Sequence, residues 1–387
     1  MARKLKIAFM AVLALGLLAT SVTAAETIKI GVVGPHTGPA AFDGLALVRG
    51  AQVAAKQIND RGGVLGRKIE LLLGDTRAKP AESINVSRKF VTQDKVSALL
   101  CCFFSSSTLA TMPVVENLRM PLITGVSTAA SITQKGWKWF FRSNHDTVME
   151  AKVFVNFWID KVGVKNAAFL ARNDDWGRET IKAYIEVMKA RGAKVLAEEY
   201  ARPSAKDYLG FLTKLKATNP QAFGMVEISS SGAAMVKQMR DLNWKPILLG
   251  SDGQVTDEFI QVSEGAAEGM YLITRWEPTI DLPRSRRFVR DHKKMFPKAA
   301  TANQYTQGGY DNVYIVADAI ARCGCTDPKG VRDAMEKTVY YSVSGAELFF
   351  DARHQAYPVM YISQVRGGKR VILKKVSTQE AMGVNRP

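Results

Sequence analysis

Short, unbroken apolar runs recur along this chain with amphipathic stretches between them, and that alternation restricts its possible folds more than any other feature. Residues 27–34 (TIKIGVVG), 68–75 (KIELLLGD), 96–102 (VSALLCC) and 121–125 (PLITG) are four such runs. Strands covered by helices on both faces read this way, because neither face needs polar residues. Residues 45–59, 81–92 and 108–118 carry helical periodicity between them, and Gly62-Gly63 stops the first. The order predicts βαβ units and a parallel sheet. It then restarts, with 149–162 a helix, 167–173 a strand, 178–191 a helix and 194–200 a strand. Residues 207–217, 222–228, 233–242 and 246–250 continue as helix, strand, helix, strand, so two similar α/β lobes are expected. Further helices are expected at 284–295 and 304–322, late strands at 347–351, 359–365 and 370–375, and a frayed tail at 376–387.

At 387 residues the chain exceeds what one hydrophobic core usually fills, which suggests two or three domains. Its charged fraction of 23% and apolar fraction of 47% are those of a soluble globular protein, and four cysteines are too few to staple it. The formal charge of +17 invites a nucleic-acid or membrane-surface reading. Part of that charge belongs to a leader. Arg3, Lys4 and Lys6 open the chain, residues 7–18 are almost unbroken apolar, and Thr20 to Ala25 are small. This is the layout of a secretory signal peptide over 1–25, cleaved before Ala25 or Glu26, with an uncleaved anchor as the alternative. The run is shorter than the ~20 residues that span a bilayer. Losing the three cations lowers the charge from +17 to +14. The densest remaining basic group, Arg284, Arg286, Arg287, Arg290, Lys293 and Lys294, has helical spacing and reads as a solvated helix face.

Chemistry is more easily excluded than assigned. His36, His145, His292 and His354 are scattered without metal-ligand spacing and read as surface or capping residues. Gly31-Val32-Val33-Gly34-Pro35 is not a dinucleotide fingerprint, and no phosphate-binding loop or nucleophile elbow occurs. Ser105-Ser106-Ser107 offers hydroxyls but no marked base, and helix capping explains it as well. No catalytic residues, metal or cofactor are therefore expected. Cys101 and Cys102, adjacent on a strand, are expected on opposite faces as small buried groups. Cys323-Gly324-Cys325 is either a small disulfide loop or two free thiols.

What remains are polar residues at strand ends, where open α/β sheets bind ligands. These are residues 37–43, 103–107, 126–128, 173–176, 227–231 and 251–252. Ser105 and Ser127-Thr128 precede helices, where hydroxyls and N–H groups favour a carboxylate. Asp252 and Glu227, from the second block, are suited to an ammonium. The combination suits a zwitterion; helix-capping serines and solvent-facing acids are the alternative.

At these residues the chain resembles the leucine/isoleucine/valine-type solute-binding proteins of ABC importers. The carriers are residues 30–39 (IGVVGPHTGP), 57–66 (QINDRGGVLG), 105–108 (SSST), 121–132 (PLITGVSTAASI), 173–177 (NDDWG) and 249–253 (LGSDG). Each is weak alone; six in order at the right spacing are specific. Residues 308–317 (GGYDNVYIVA) and 330–335 (GVRDAM) also look like the family. The resemblance implies a type I periplasmic binding fold: two doubly wound parallel-sheet lobes joined by a three-segment hinge, crossing near Asn144, Trp276 and Gly345. Lobe 1 would hold 26–144 and 277–345, and lobe 2 would hold 145–276 and 346–375. The ligand would sit between lobes that close over it.

By the same resemblance Ser105 and Thr128 hold the ligand carboxylate with backbone help at Val126 and Ser127. Asp252 takes the ammonium, and Trp176 covers the ligand, with Phe42 closing the pocket. Two departures stand out: Asp43 lies where a Tyr is usual, and Glu227 lies near a usual aromatic, which puts a purely aliphatic ligand side chain in doubt. Capping of the following helix is the alternative for Asp43, and a rim position for Glu227. Ala78 and Phe104 replace a family cysteine pair. The implied protein is a periplasmic binder of an amino acid or related small carboxylate, not an enzyme, monomeric, serving ABC permease membrane subunits and no nucleic acid. An aromatic-acid, amide or urea binder of the same family and a ligand-sensing regulator are the alternatives.

Overall fold

The computed structural model describes residues 26–203 and 205–385, so the expected leader at 1–25 lies outside the described residues. The first half alternates β1 (Ile28–Gly34), α1 (Ala41–Asn59), β2 (Ile69–Asp75), α2 (Pro80–Thr92), β3 (Ala98–Leu100), α3 (Ser105–Leu118), β4 (Leu122–Thr124), α4 (Ser131–Gln134) and β5 (Phe140–Arg142). Its strands form one sheet in the order β2-β1-β3-β4-β5, all neighbours parallel. The continuous apolar runs have the expected cause. Val32 and Val33 of β1 are both fully buried, and they face different core clusters on opposite sides of the sheet.

The pattern repeats through α5 (Thr147–Phe157), β6 (Asn166–Arg172), α6 (Asp175–Ala190), β7 (Lys194–Ala201), α7 (Leu209–Ala217), β8 (Ala222–Val226), α8 (Ser229–Asp241), β9 (Ile247–Leu249), α9 (Asp257–Val262) and β10 (Tyr271–Thr274). The order β7-β6-β8-β9-β10 duplicates that of the first sheet, again all parallel. In each sheet the strand order reverses beside its first strand, opening a crevice at the carboxyl ends of β1 and β3 and of β6 and β8.

The chain then returns to the first lobe for α10 (Pro283–Met295), α11 (Gln304–Cys323), α12 (Pro328–Glu336), β11 (Val339–Tyr341) and β12 (Glu347–Phe349), before β13 (Val359–Arg366), β14 (Lys369–Ser377) and α13 (Thr378–Met382). Helices α1 and α11 pack against each other with Gly50 and Gly309 at the contact. A Cβ on Gly50 would overlap the Thr306 carbonyl, and one on Gly309 the Leu47 carbonyl.

Several expectations are corrected. The second sheet is not wholly parallel: β13 joins β10, and β14 joins β13, antiparallel. The two-residue Gly367-Gly368 turn, both at positive φ, allows only a hairpin. Gly345 is not at the last crossing. It sits in the turn between β11 and β12, whose Tyr340 and Ser342 hydroxyls donate to Asp311 of α11, so the chain crosses later, before β13. The tail is not frayed through its described part: α13 packs on α5, and the buried Thr378 hydroxyl donates to the Pro358 carbonyl. Because β3 ends at Leu100, strand alternation does not reach Cys101 and Cys102, which are joined by a cis peptide and have their sulfurs bonded. Cys323 and Cys325 are also paired. The basic residues Arg286, Arg287 and Arg290 of α10 are exposed and paired with Asp281 and Asp291.

Candidate functional site

Where the two crevices face each other, ten residues enclose a cavity of about 30 Å³. Ser105, Val126, Ser127, Thr128, Trp176 and Asp252 are six of them, drawn from both lobes. Phe103, Phe104 and Ile228, within the expected strand ends 103–107 and 227–231, complete the lining with Tyr305, which lies outside every expected segment. The phenylalanines extend the strand end that Ser105 marks, so a signal for them existed. Nothing in the sequence brings Tyr305 of α11 to the strand ends of the other segments.

The first-lobe edge is built by hydrogen bonds between neighbouring loops. Ser105 opens α3, and its Oγ accepts from the Ala129 N–H at 3.2 Å. The Ser127 hydroxyl lies 2.9 Å from the Cys102 carbonyl and 2.6 Å from Thr108 Oγ1, which ties the loop after β4 to the loop after β3. That hydroxyl is engaged within its own lobe, so Ser127 fixes the edge. Thr128, 1% exposed, is held by its carbonyl accepting from the Thr147 N–H at 2.8 Å, and the Val126 carbonyl accepts from Asn144 Nδ2 at 3.1 Å.

From the second lobe, Trp176 stands in the first turn of α6, which Asp174 caps by accepting from the Gly177 N–H at 3.0 Å. Its ring lies against Gly253, where a Cβ would overlap it. Asp252 follows β9 in a single turn capped by Ser251 and Gln254. Its backbone carbonyl accepts from Gln304 Nε2 at 2.6 Å and from Tyr305 OH at 3.4 Å, both on the first lobe's α11. The Asp252 Oδ1 and Trp176 Nε1 atoms are buried and have no hydrogen-bond partner among the described residues.

Behind Asp252 lies a group that sequence reasoning missed. His145, read as a surface or capping residue, is fully buried, with its Nε2 3.5 Å from Asp252 Oδ2 and 3.2 Å from Glu150 Oε2. Tyr184 OH donates to the other Glu150 oxygen. Burial pushes the Asp252 carboxyl up to about 7, with the Glu150 charge adding to the rise and His145 and Arg275 opposing it. Burial likewise pushes Glu150 up to about 7 and pulls His145 down to about 4. The three donor atoms lie within 4.8 Å of one another, an approach their hydrogen bonding explains.

Three expected residues do not line the cavity. Glu227 is buried and not at a rim: its Oε1 accepts from Arg172 Nη1 at 3.1 Å and from the Ile228 N–H at 2.9 Å. The Arg172 guanidinium in turn lies over the Phe104 ring at 5.0 Å, so Glu227 supports the cavity wall from behind. Asp43 makes no helix cap for α1; its Oδ1 accepts from Ser229 Oγ of the second lobe at 3.4 Å. Burial pushes its carboxyl up to about 8, with Glu258 adding to the rise. Phe42 borders a separate groove that Asp257, Glu258 and Lys298 also line.

The sequence profile of the family described as periplasmic binding protein matches residues 27–369. The chain belongs to that family. A leucine-, isoleucine-, valine-, threonine-, and alanine-binding protein of Pseudomonas aeruginosa is 28% identical over 335 residues, which cover 85% of this periplasmic binding protein and 87% of the relative. The branched-chain amino acid transporter substrate binding protein of Streptococcus pneumoniae, solved in complex with isoleucine, is 26% identical with a TM-score of 0.84, covering 91% of this chain and all of the other. A solute binding protein of an ABC transporter from Rhodopseudomonas palustris, solved with p-hydroxybenzoic acid, shares the fold at a TM-score of 0.84 and 20% identity, over 92% and 99% of the two chains. Among the described residues, no helix of this binding protein is long and apolar enough to cross a membrane.

Proposed function

We propose that this periplasmic binding protein captures an amino acid between its lobes and delivers it to the membrane subunits of an ABC importer. Ser105 and Thr128, with backbone groups at Val126 and Ser127, take the carboxylate; Asp252 takes the ammonium; Trp176 covers the ligand. The observation that carries this reading is the buried Asp252 Oδ1, without a partner among the described residues, on a residue that lines one cavity with Ser105 and Thr128 of the other lobe. A buried carboxyl with no cation hydrogen-bonded to it is costly, and a ligand ammonium reduces that cost. The cavity has room for little more than a water molecule, so a ligand enters only when the lobes separate. Export through the leader, a monomeric state and the absence of catalysis and of nucleic-acid binding belong to the same proposal.

Four aromatic residues, Phe103, Phe104, Trp176 and Tyr305, favour a second reading, an aromatic carboxylate. A thermal-shift panel separates the two. An amino acid at 100 times its dissociation constant is expected to stabilise the protein by ~2.7 kcal/mol. No shift with any amino acid, beside a clear shift with 4-hydroxybenzoate, would reverse the preference.

A further inference from the structure

Asp252 ends a buried chain of ionisable groups running from the cavity through His145 to Glu150 and Tyr184. His145, Glu150 and Tyr184 are fully buried, and Asp252 is 4% exposed. They come from the strand end after β9, the first crossing, α5 and α6, so the fold alone assembles them. The nearest guanidinium groups make their hydrogen bonds elsewhere, although Arg275 Nη1 is buried without a partner among the described residues and its charge partly opposes the rise at Asp252. Arg275 donates to the Gly125 and Gln304 carbonyls and to Gln307 Oε1. Arg142 donates to the Ala129 carbonyl, Thr133 and Gln355, and pairs with Asp146 at 3.6 Å. Tyr305, from α11, reaches only the Asp252 backbone carbonyl and brings no charge.

Two carboxyls and one imidazole in a water-poor space, with no cation hydrogen-bonded to the carboxyls, do not hold two negative charges. The charges repel, and each loses its hydration. The group therefore keeps a proton that exposed carboxyls release. We propose that Asp252, His145 and Glu150 together store a proton that an ammonium-bearing ligand displaces, so that amino-acid capture is coupled to proton release. This rests on the amino-acid reading above. The balance is simple: the protonated group and the ammonium ligand give a carboxylate–ammonium pair and one proton delivered to solvent. A ligand without a cation releases no proton, because a second carboxylate beside Asp252 keeps the stored one in place. His145 acts here as a positioning residue that shares the proton between two carboxyls.

Calorimetric titration of the mature chain with L-isoleucine and with 4-hydroxybenzoate, in phosphate and in Tris at pH 7, counts the protons exchanged. Isoleucine is expected to release a fraction near one half of a proton, given the midpoint of about 7 at Asp252. Its dissociation constant should weaken toward tenfold per pH unit below that midpoint and stay flat above it. Isoleucine binding with no proton exchanged and a flat profile from pH 5 to 9 overturns the proposal and leaves the amino-acid reading intact. If neither probe binds, that reading falls, and carbon NMR of the carboxyls in the ligand-free protein decides the stored proton alone. Asp252 or Glu150 titrating near neutrality supports it; both titrating below pH 5 overturns it. In His145→Gln the Asp252 midpoint should rise and the isoleucine profile should move with it, whereas mere loosening of the fold lowers affinity equally at every pH.

Discussion

Asp252 and Asp43 are both buried carboxyls at the joint between the lobes, and their different neighbours give them different expected behaviour. Asp252 faces the cavity, and a charge-assisted hydrogen bond there contributes ~1.5–3 kcal/mol. Asp252→Asn should therefore weaken amino-acid binding by roughly 10- to 150-fold in calorimetry; an unchanged constant would remove the ammonium assignment. Asp43 faces Ser229, and burial holds its carboxyl at about 8. An acid raised above its unfolded value of about 4 contributes stability that is fully present below pH ~4 and lost as pH rises toward the folded value. Asp43→Asn does not ionise, so it should match the parent's melting temperature at pH 4 and exceed it at pH 9. Equal melting temperatures at pH 9 would show that Asp43 is not held neutral. At this scale the sequence marked the residue types at the strand ends. It left open which way a side chain turns, and Glu227 turned to Arg172.

Helix α11 shows what an element adds. Its sequence predicts a helix, yet its role comes from lying so close to α1 that Gly50 and Gly309 touch opposing carbonyls. In an ordinary helix interior Ala is ~0.5–1 kcal/mol better than Gly. Here the sign should reverse: Gly50→Ala or Gly309→Ala is expected to cost about 1–3 kcal/mol through overpacking, read from the urea midpoint. A gain in stability would mean the helices have room to part. Pushing α11 outward also moves Gln304 and Tyr305 off the Asp252 carbonyl, so ligand affinity should fall with stability. The long βα alternation was legible because buried strands need continuous apolar runs. Strands β5 and β11 were not, since Lys138 and Arg142 bracket the one and Lys337, Thr338 and Ser342 the other, so neither forms a continuous apolar run.

For the whole molecule, bonds outside the cavity lining also join the lobes. Glu179 on α6 accepts from the Ser131 N–H at 3.0 Å and from its hydroxyl at 2.6 Å, joining second lobe to first. Glu179→Ala should open the ligand-free protein, seen as a larger radius of gyration in solution scattering. It should weaken binding about fivefold, for roughly 1 kcal/mol of partly solvated hydrogen bonding. An unchanged radius would mean other contacts hold the lobes. The sequence by itself determined the two α/β repeats, because apolar periodicity is a local property that each strand and helix satisfies on its own. It also determined the residue types at the strand ends, and the resemblance carried by six short motifs pointed to the family that the profile match establishes. Only the tertiary structure decided which of those ends meet. It placed Tyr305 in the cavity wall and His145 between two carboxyls, and it held Glu227, Asp43 and Phe42 away from the lining. Contacts between residues distant in the chain depend on how the two sheets face each other, and no local pattern encodes that.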